Sequence, residues 1–186
     1  MLPFFTPPAV TMPAMQRFPD VTVAAVTEVA GRFLLVEERV NGRLLFNQPA
    51  GHVERGETLL AAVVREAREE TAWHFEPQAL LGAYLWHNAA SDRAVLRFAF
   101  IGEVRDHDAS RRLDDGIVGT HWLTPAELEQ RRSRLRSPLV SRCVHDYLAG
   151  RRRDLACVAS LDLPRAASLG AHLPTRAAAA VTDVRI

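Results

Sequence analysis

Three glutamates stand close together in one short stretch of the chain, at a spacing that can hold a metal ion. Glu66, Glu69 and Glu70 occupy positions i, i+3 and i+4, which share one face of an α-helix within an arc of roughly 100°. Carboxylates this close repel one another unless a cation lies between them. Oxygen ligands suit a hard divalent ion, so Mg²⁺ fits best and Mn²⁺ is the second choice. The alternative is a solvated helix face on which Glu69 pairs with Arg65.

A segment bracketed by two glycines precedes these glutamates. Gly51 and Gly56 enclose it, and glycine lets a backbone approach a ligand closely or adopt a positive φ. Glu57 stands eight residues before Arg65. This separation is short enough for an ion pair that ties the loop to the helix.

Apolar spacing predicts the elements that position these residues. A helix over residues 58–71 carries the glutamates, and the stripe that we expect to face the core contains Leu60, Val63, Val64, Ala67 and Thr71. Alternating or apolar runs predict strands over residues 20–26, 33–37, 44–46, 80–88 and 94–104. A helix start at Thr124 and a helix over residues 138–149, stopped by Gly150, complete the pattern.

Four polar or aromatic residues outside the helix are candidates for substrate binding. Asn47 and Gln48 lie just before the glycine loop and could bond a substrate or satisfy a turn. Trp86, near a strand end, could stack on a base or cap the core. Arg97 is suited to a phosphate contact, and the alternative is a solvated charge.

Composition bounds the class of protein. The 186 residues are 48% hydrophobic and 24% charged, as in a globular protein with one well-buried core. A formal charge of +1 favours neither nucleic acid nor membrane as a partner. Cys143 and Cys157 have no ligand-like spacing and fit a reducing cytoplasm. We expect a Pro-rich arm over residues 1–19, one catalytic domain over residues 20–160 and an irregular tail over residues 161–186.

The glutamate helix and its loop together resemble the motif of the Nudix hydrolases. That motif is a glycine, five residues, Glu, seven residues, Arg-Glu, an apolar residue, any residue, Glu-Glu, any residue, Gly and an apolar residue. The matching positions here are Gly51, Glu57, Arg65, Glu66, Ala67, Glu69, Glu70, Ala72 and Trp73. Only Ala72 departs, since the family has glycine there. An alanine in the left-handed conformation costs on the order of 1 kcal/mol, or else the helix end moves.

The resemblance covers residues 20–160 and implies an α/β fold, an α/β/α sandwich with a mixed β-sheet. It implies that Glu66, Glu69, Glu70 and the Gly51 carbonyl hold Mg²⁺, and that Glu57 orients Arg65 and is a candidate to take a proton. Many members use an acid before a tryptophan-led strand as an extra ligand or base. Gly116 aligns with that position, so Asp115 is the neighbouring substitute.

The stretches Asn47–His52, Leu96–Phe98 and Leu135–Val140 further resemble phosphatases of the family, which implies a small-molecule substrate. The implied reaction is Mg²⁺-dependent hydrolysis of nucleoside tri- and diphosphates and of thiamine-type pyrophosphates, with orthophosphate released. Separately, we expect a cytoplasmic monomer or homodimer. One alternative is a housecleaning pyrophosphatase for ADP-ribose, nucleoside diphosphate derivatives or oxidised nucleotides. Another is a non-catalytic module that binds nucleotides, although such a module would be expected to lose part of the glutamate set.

Overall fold

The computed structural model describes residues 18–89 and 91–161, and all statements on structure concern these residues. They form eight strands and three α-helices, namely β1 (Asp20–Val26), β2 (Glu28–Val29), β3 (Arg32–Val40), β4 (Arg43–Asn47), β5 (Ala50–His52), α1 (Leu59–Thr71), β6 (His74–Asn88), β7 (Arg93–Arg105), β8 (Ile117–Leu123), α2 (Pro125–Gln130) and α3 (Pro138–Leu148). Most of the expected arm and tail, residues 1–17 and 162–186, lies outside the described residues. The division into arm, domain and tail therefore stays a prediction.

A mixed four-stranded sheet forms the centre of the molecule. Its strand order is β5-β1-β7-β6, with β1 parallel to β7 and the other two pairings antiparallel. In this register, Val23 of β1 stands opposite both Phe98 and Gly51. The sheet thereby fixes the position of the glycine that begins the motif.

A second sheet is antiparallel throughout and is built around β3. This strand pairs with β2, β4 and β8. The β3–β4 hairpin turns at Asn41 and Gly42, which have φ of 48° and 77°, as expected of an Asn-Gly turn. β4 then leads the chain towards the motif.

Helices lie on both sides of the mixed sheet, which confirms the predicted α/β class. One face carries α1, whose Ala62, Val63 and Ala67 pack in one cluster with Val23 and Phe100. The other face meets the second sheet and α3 in a larger cluster. No helix within the two described ranges is long and apolar enough to cross a membrane.

Local sequence determines where α1 begins and ends. Thr58 caps its start, and its side chain accepts the backbone N–H of Ala61 at 3.0 Å. At the other end, Ala72 has φ 61° and ψ 5° and donates its N–H to the carbonyl of Arg68. The alanine therefore adopts the left-handed conformation expected of the family's glycine, and the helix keeps its length.

Several boundaries differ from the sequence-based expectation. Residues 50–52, expected in a connecting loop, form the edge strand β5, because their backbone pairs with β1. β6 begins six residues earlier than predicted and includes Pro77, next to an irregularity in its register with β7. Leu60, Val64 and Phe98 are only partly buried, at the edge of the core.

Candidate active site

One arginine on α1 connects the loop before the helix to the glutamates on it. Arg65 donates Nε and Nη2 to the two carboxylate oxygens of Glu57, at 2.8 and 2.9 Å. Its Nη2 also reaches the His52 carbonyl at 3.0 Å. Its Nη1 bridges Glu66 and Glu69, each at 2.9 Å. The expected ion pair between loop and helix is thus formed, and it is bidentate.

Glu57 is fixed from a second direction by its own loop. Its carboxylate accepts the backbone N–H of Glu54 at 3.1 Å, across a turn in which Gly56 has φ 79°. The hydrogen bond from Arg65 is the main cause that lowers the pKa of Glu57. A carboxylate with a lowered pKa is a weak base at neutral pH, so this geometry favours a positioning role for Glu57 over proton transfer.

Gly51 and Glu66 touch across the interface between β5 and α1. A Cβ on Gly51 would lie 2.2–2.3 Å from the carboxyl atoms of Glu66, closer than any real contact. The absence of a side chain at residue 51 therefore lets the Glu66 carboxylate lie directly against the backbone. Burial raises the pKa of Glu66, and its hydrogen bond with Arg65 opposes this shift.

Glu70 is the most strongly perturbed of the three glutamates. Its carboxylate accepts the backbone N–H of Ala50 at 2.8 Å. Burial raises the pKa of Glu70 to about 8, and the nearby carboxylates of Glu66, Glu38 and Asp114 add to the shift. Negative charge is thus unfavourable here without a cation.

The donor set fits a divalent cation, although the side chains are not arranged around one. Glu66, Glu69 and Glu70 offer carboxylate oxygens, the ligands that hard cations prefer. In the described residues, however, no three Asp, Glu, His or Cys side chains converge on one point as they stand. Arg65 holds Glu66 and Glu69, while Glu70 turns to Ala50. Metal binding therefore requires side-chain rotation on a helix that already places the three residues on one face.

The two aspartates before β8 differ in their surroundings. The Asp115 side chain is 92% exposed and pairs with Arg112 at 2.7 Å. Asp114 instead donates its backbone N–H to the Glu69 carbonyl at 3.1 Å, and its charge acts on Glu66 and Glu70. The structure thus brings Asp114 into the field of the glutamates, whereas the sequence pointed to Asp115.

Arg97 lies inside the molecule rather than on its surface, with 6% of its area exposed. Its Nη1 makes two long hydrogen bonds, to Asn47 at 3.4 Å and to Gln48 at 3.3 Å. Its Nε has no partner among the described residues. Burial lowers the pKa of Arg97, and the charges of Glu38 and Glu70 are near enough to oppose this. The guanidinium is therefore close to the glutamate cluster and retains an unpaired donor.

The amides next to Arg97 also have internal bonds. Gln48 donates to the Val140 carbonyl at 2.9 Å, which fixes its side chain between β4 and α3. Trp86 lies farther along β6 and is half-buried. It shares a face of the sheet with Tyr84, the register partner of Arg97.

Glu38 is a residue that sequence reasoning did not select. It lies on β3, where burial raises its pKa against the attraction of Arg136 and Arg97. Arg136 approaches its carboxylate at 3.4 Å. Glu38 stands 13 residues before Gly51 and Arg136 lies 66 residues after Glu70, and no local pattern in the sequence links either residue to the motif.

Three comparisons with known proteins agree with this geometry. A family model described as the NUDIX domain matches residues 16–143. Phosphatase NudJ of Escherichia coli K12 is 40% identical over 147 residues, covering 78% of this chain and 94% of that protein. The same figures hold for Phosphatase NudJ of Shigella flexneri.

Solved structures extend the comparison to the fold. A NUDIX hydrolase from Nitrosomonas europaea superposes with a TM-score of 0.76 at 43% identity, covering 78% of this chain and 99% of that one. The MutT protein from Methanosarcina mazei Go1 gives a TM-score of 0.61 at 19% identity, covering 75% and 100%, and supports the fold alone. The family model covers most of the chain, and the sequence identity to Phosphatase NudJ and to the Nitrosomonas europaea hydrolase is 40% and 43%. This chain therefore belongs to the Nudix family and is a phosphohydrolase of that family.

Proposed function

We propose that this protein is a Mg²⁺-dependent phosphatase that hydrolyses phosphoanhydride bonds of nucleoside tri- and diphosphates and of thiamine-type pyrophosphates, releasing orthophosphate. The observation that carries the metal dependence is the cluster of Glu66 and Glu70 with raised pKa values beside the close approach at Gly51. The similarity to relatives named Phosphatase NudJ supports the orthophosphate product. Mn²⁺ is the alternative ion.

The chain's own residues have distinct parts in this proposal. Glu66, Glu69, Glu70 and the Gly51 carbonyl would hold the ion. When bound, Mg²⁺ would offset charge on the diphosphate and lower the pKa of an attacking water. Arg65 binds Glu57 and also bonds Glu66 and Glu69, and these two carboxylates would turn from it towards the ion.

Arg97 supports a substrate site next to the glutamates. A buried guanidinium with an unpaired Nε is costly unless another acceptor meets it. A planar, permanently charged donor fits a phosphate or a ring acceptor of the substrate. Asn47 and Gln48 accept hydrogen bonds from Nη1 of Arg97, so we assign them to orienting Arg97 towards the substrate. Trp86, on the same face, is assigned to stacking on the base.

The general base stays open between two aspartates. The Asp115 side chain is 92% exposed and pairs with Arg112. Asp114 already lies within the electrostatic field of Glu66 and Glu70. The present geometry therefore favours Asp114 for this role.

The test of the site is Glu69→Gln. This change keeps the side-chain shape and removes one carboxylate charge, while Arg65 retains Glu57 and Glu66. We expect turnover to fall by at least about 100-fold, because one metal ligand is lost, with thermal unfolding little changed. The matched control is Glu129→Gln, an exposed glutamate paired with Arg132, which should keep full activity. Unchanged turnover in Glu69→Gln would contradict the assignment.

A further inference from the structure

A concave surface lies between β6 and the end of α3, away from the motif, and none of the motif glutamates lines it. It encloses about 480 Å³. Its floor is formed by the β6 segment Leu80–Tyr84 together with Cys157, and three arginines, Arg142, Arg151 and Arg153, stand around it. The residues around this pocket are thus mostly cationic above a largely apolar floor.

The backbone places two of these arginines with defined hydrogen bonds. Gly150, with φ 73°, ends α3 and returns the chain towards the sheet. Arg151 then donates its N–H to the Asp146 carbonyl at 3.1 Å. Arg153 exchanges two backbone bonds with Leu80, both 2.9 Å. The segment is therefore attached at both ends, to α3 and to β6.

A single buried carboxylate orients two of the guanidinium groups. Asp146 is 1% exposed, and its oxygens meet Arg142 Nε at 2.9 Å and Arg151 Nε at 3.6 Å. Both arginines face Asp146 through Nε. Among the described residues, no acceptor lies within hydrogen-bond distance of their terminal Nη groups. Both side chains are 53% exposed, so their terminal donors face solvent, where a phosphate can reach them.

Arg152, between the other two arginines in sequence, lies outside the pocket. Arg152 lies over the ring of Tyr147, 5.2 Å from its centroid, whereas Arg151 and Arg153 line the pocket. In an extended segment, alternate side chains point to opposite sides. The short RRR sequence therefore places two of its three arginines along the pocket, and Nη1 of Arg153 also donates to the Arg152 carbonyl at 3.2 Å.

The charge of the pocket matches a small anion. Three guanidinium groups against the one carboxylate of Asp146 leave a net charge of +2. The nearby C-terminus of α3 contributes only about half a negative charge. Fork-shaped guanidinium ends match the oxygens of a phosphate group, and its dianion would balance the net charge.

We propose that this pocket, formed by Arg142, Arg151 and Arg153 around Asp146, is a second binding site for a phosphate group, carried by free orthophosphate or by a phosphomonoester. Arg142 and Arg151 bind it through their Nη groups, and Arg153 closes the third side. The β6 floor accommodates an organic group where one is attached. This site does not depend on a divalent ion and is separate from the proposed reaction.

Calorimetric titration of the full chain with orthophosphate, in buffer containing EDTA, tests the site. We expect saturable binding by the unaltered protein. The double variant Arg151→Gln, Arg153→Gln should bind at least about tenfold more weakly, because charge-assisted hydrogen bonds are removed. It keeps the Arg142–Asp146 pair and should fold, which thermal unfolding checks.

Two controls locate the binding. Arg132→Gln removes an exposed arginine that pairs with Glu129 outside the pocket, and it should bind as before. Glu69→Gln changes the proposed metal site and should also leave phosphate binding unchanged, so failure of the proposed function and failure of this site are distinguishable. Equal affinity in the double variant, or no saturable binding by the unaltered protein, would overturn the proposal.

Phenyl phosphate identifies the source of the phosphate group. Tighter binding of this probe than of orthophosphate supports a phosphomonoester, since the ring would cover the apolar floor. Equal or weaker binding supports free orthophosphate. In both cases the affinity should fall in the double variant.

Discussion

Among single residues, Arg65 and Gly51 explain most of the geometry of the site. Arg65 joins the loop to two glutamates by five hydrogen bonds. These include both pairs considered from the sequence, with Glu57 and with Glu69, and add Glu66 and the His52 carbonyl. Gly51 acts by lacking a side chain, which admits the Glu66 carboxylate. The motif predicted these identities because its spacing is local. It could not predict Glu38 or Arg97, whose proximity to Glu70 depends on strands distant in sequence.

Gly51→Ala should separate activity from stability. The atoms nearest to the new Cβ would be the carboxyl atoms of Glu66, at 2.2–2.3 Å, and that flexible end of the side chain can rotate away. We therefore expect a loss of stability of no more than about 1–2 kcal/mol, with a fall in turnover of about 100-fold because a metal ligand is displaced. Urea denaturation and a steady-state assay would measure the two effects.

Gly119→Ala is the matched control, because a Cβ there meets nothing within 4 Å. It should retain both stability and turnover. Gly51→Ala with normal turnover would contradict the placement of Glu66 in the site.

Among the elements, α3 shows how an internal carboxylate attaches a helix to the sheet. Asp146 accepts a hydrogen bond from Tyr84 of β6 at 3.0 Å and from Arg142 at 2.9 Å. The apolar face of this helix was predictable from its period, and its end from Gly150. Its attachment to β6 was not, because Tyr84 and Asp146 are 62 residues apart.

Asp146→Asn should lower stability in a pH-dependent way. Burial alone would raise the pKa of Asp146, but the hydrogen bonds from Arg142 and Tyr84 outweigh it and lower the pKa. A carboxyl with a lowered folded pKa stabilises the fold above its unfolded value of about 4, and this contribution is lost as the pH falls through the folded pKa. At pH 7 we expect a loss of about 1–2 kcal/mol, limited by the half-exposed Arg142.

Urea denaturation at pH 7 and at pH 3 measures this difference. The deficit of the variant should shrink at pH 3, because Asp146 begins to be protonated in the unaltered protein. Asp92→Asn, at an aspartate that is 78% exposed, should change stability little at either pH. A deficit that is the same at both values, or larger at pH 3, would show that the ionised carboxylate is not the stabilising group.

For the whole molecule, the motif predicted the fold class through the family resemblance more reliably than the strand patterns did. The alternation in β1 and β7 indicated two strands, but not that they run parallel, with Asp20 opposite Val95. The second sheet could not be inferred, because β3 pairs with β8 across 79 to 90 residues of sequence. Helix α1 and its caps were predictable since all the interactions that define them are local.

The central claim is metal-dependent release of orthophosphate by the glutamate cluster, and one assay tests it directly. Orthophosphate and pyrophosphate would be measured with Mg²⁺, with Mn²⁺ and with EDTA, for nucleoside di- and triphosphates, thiamine pyrophosphate, hydroxymethylpyrimidine pyrophosphate and ADP-ribose. We expect orthophosphate from several of these substrates, and none with EDTA. Pyrophosphate as the product, cleavage of ADP-ribose alone, or no metal-dependent product from any substrate would contradict the account.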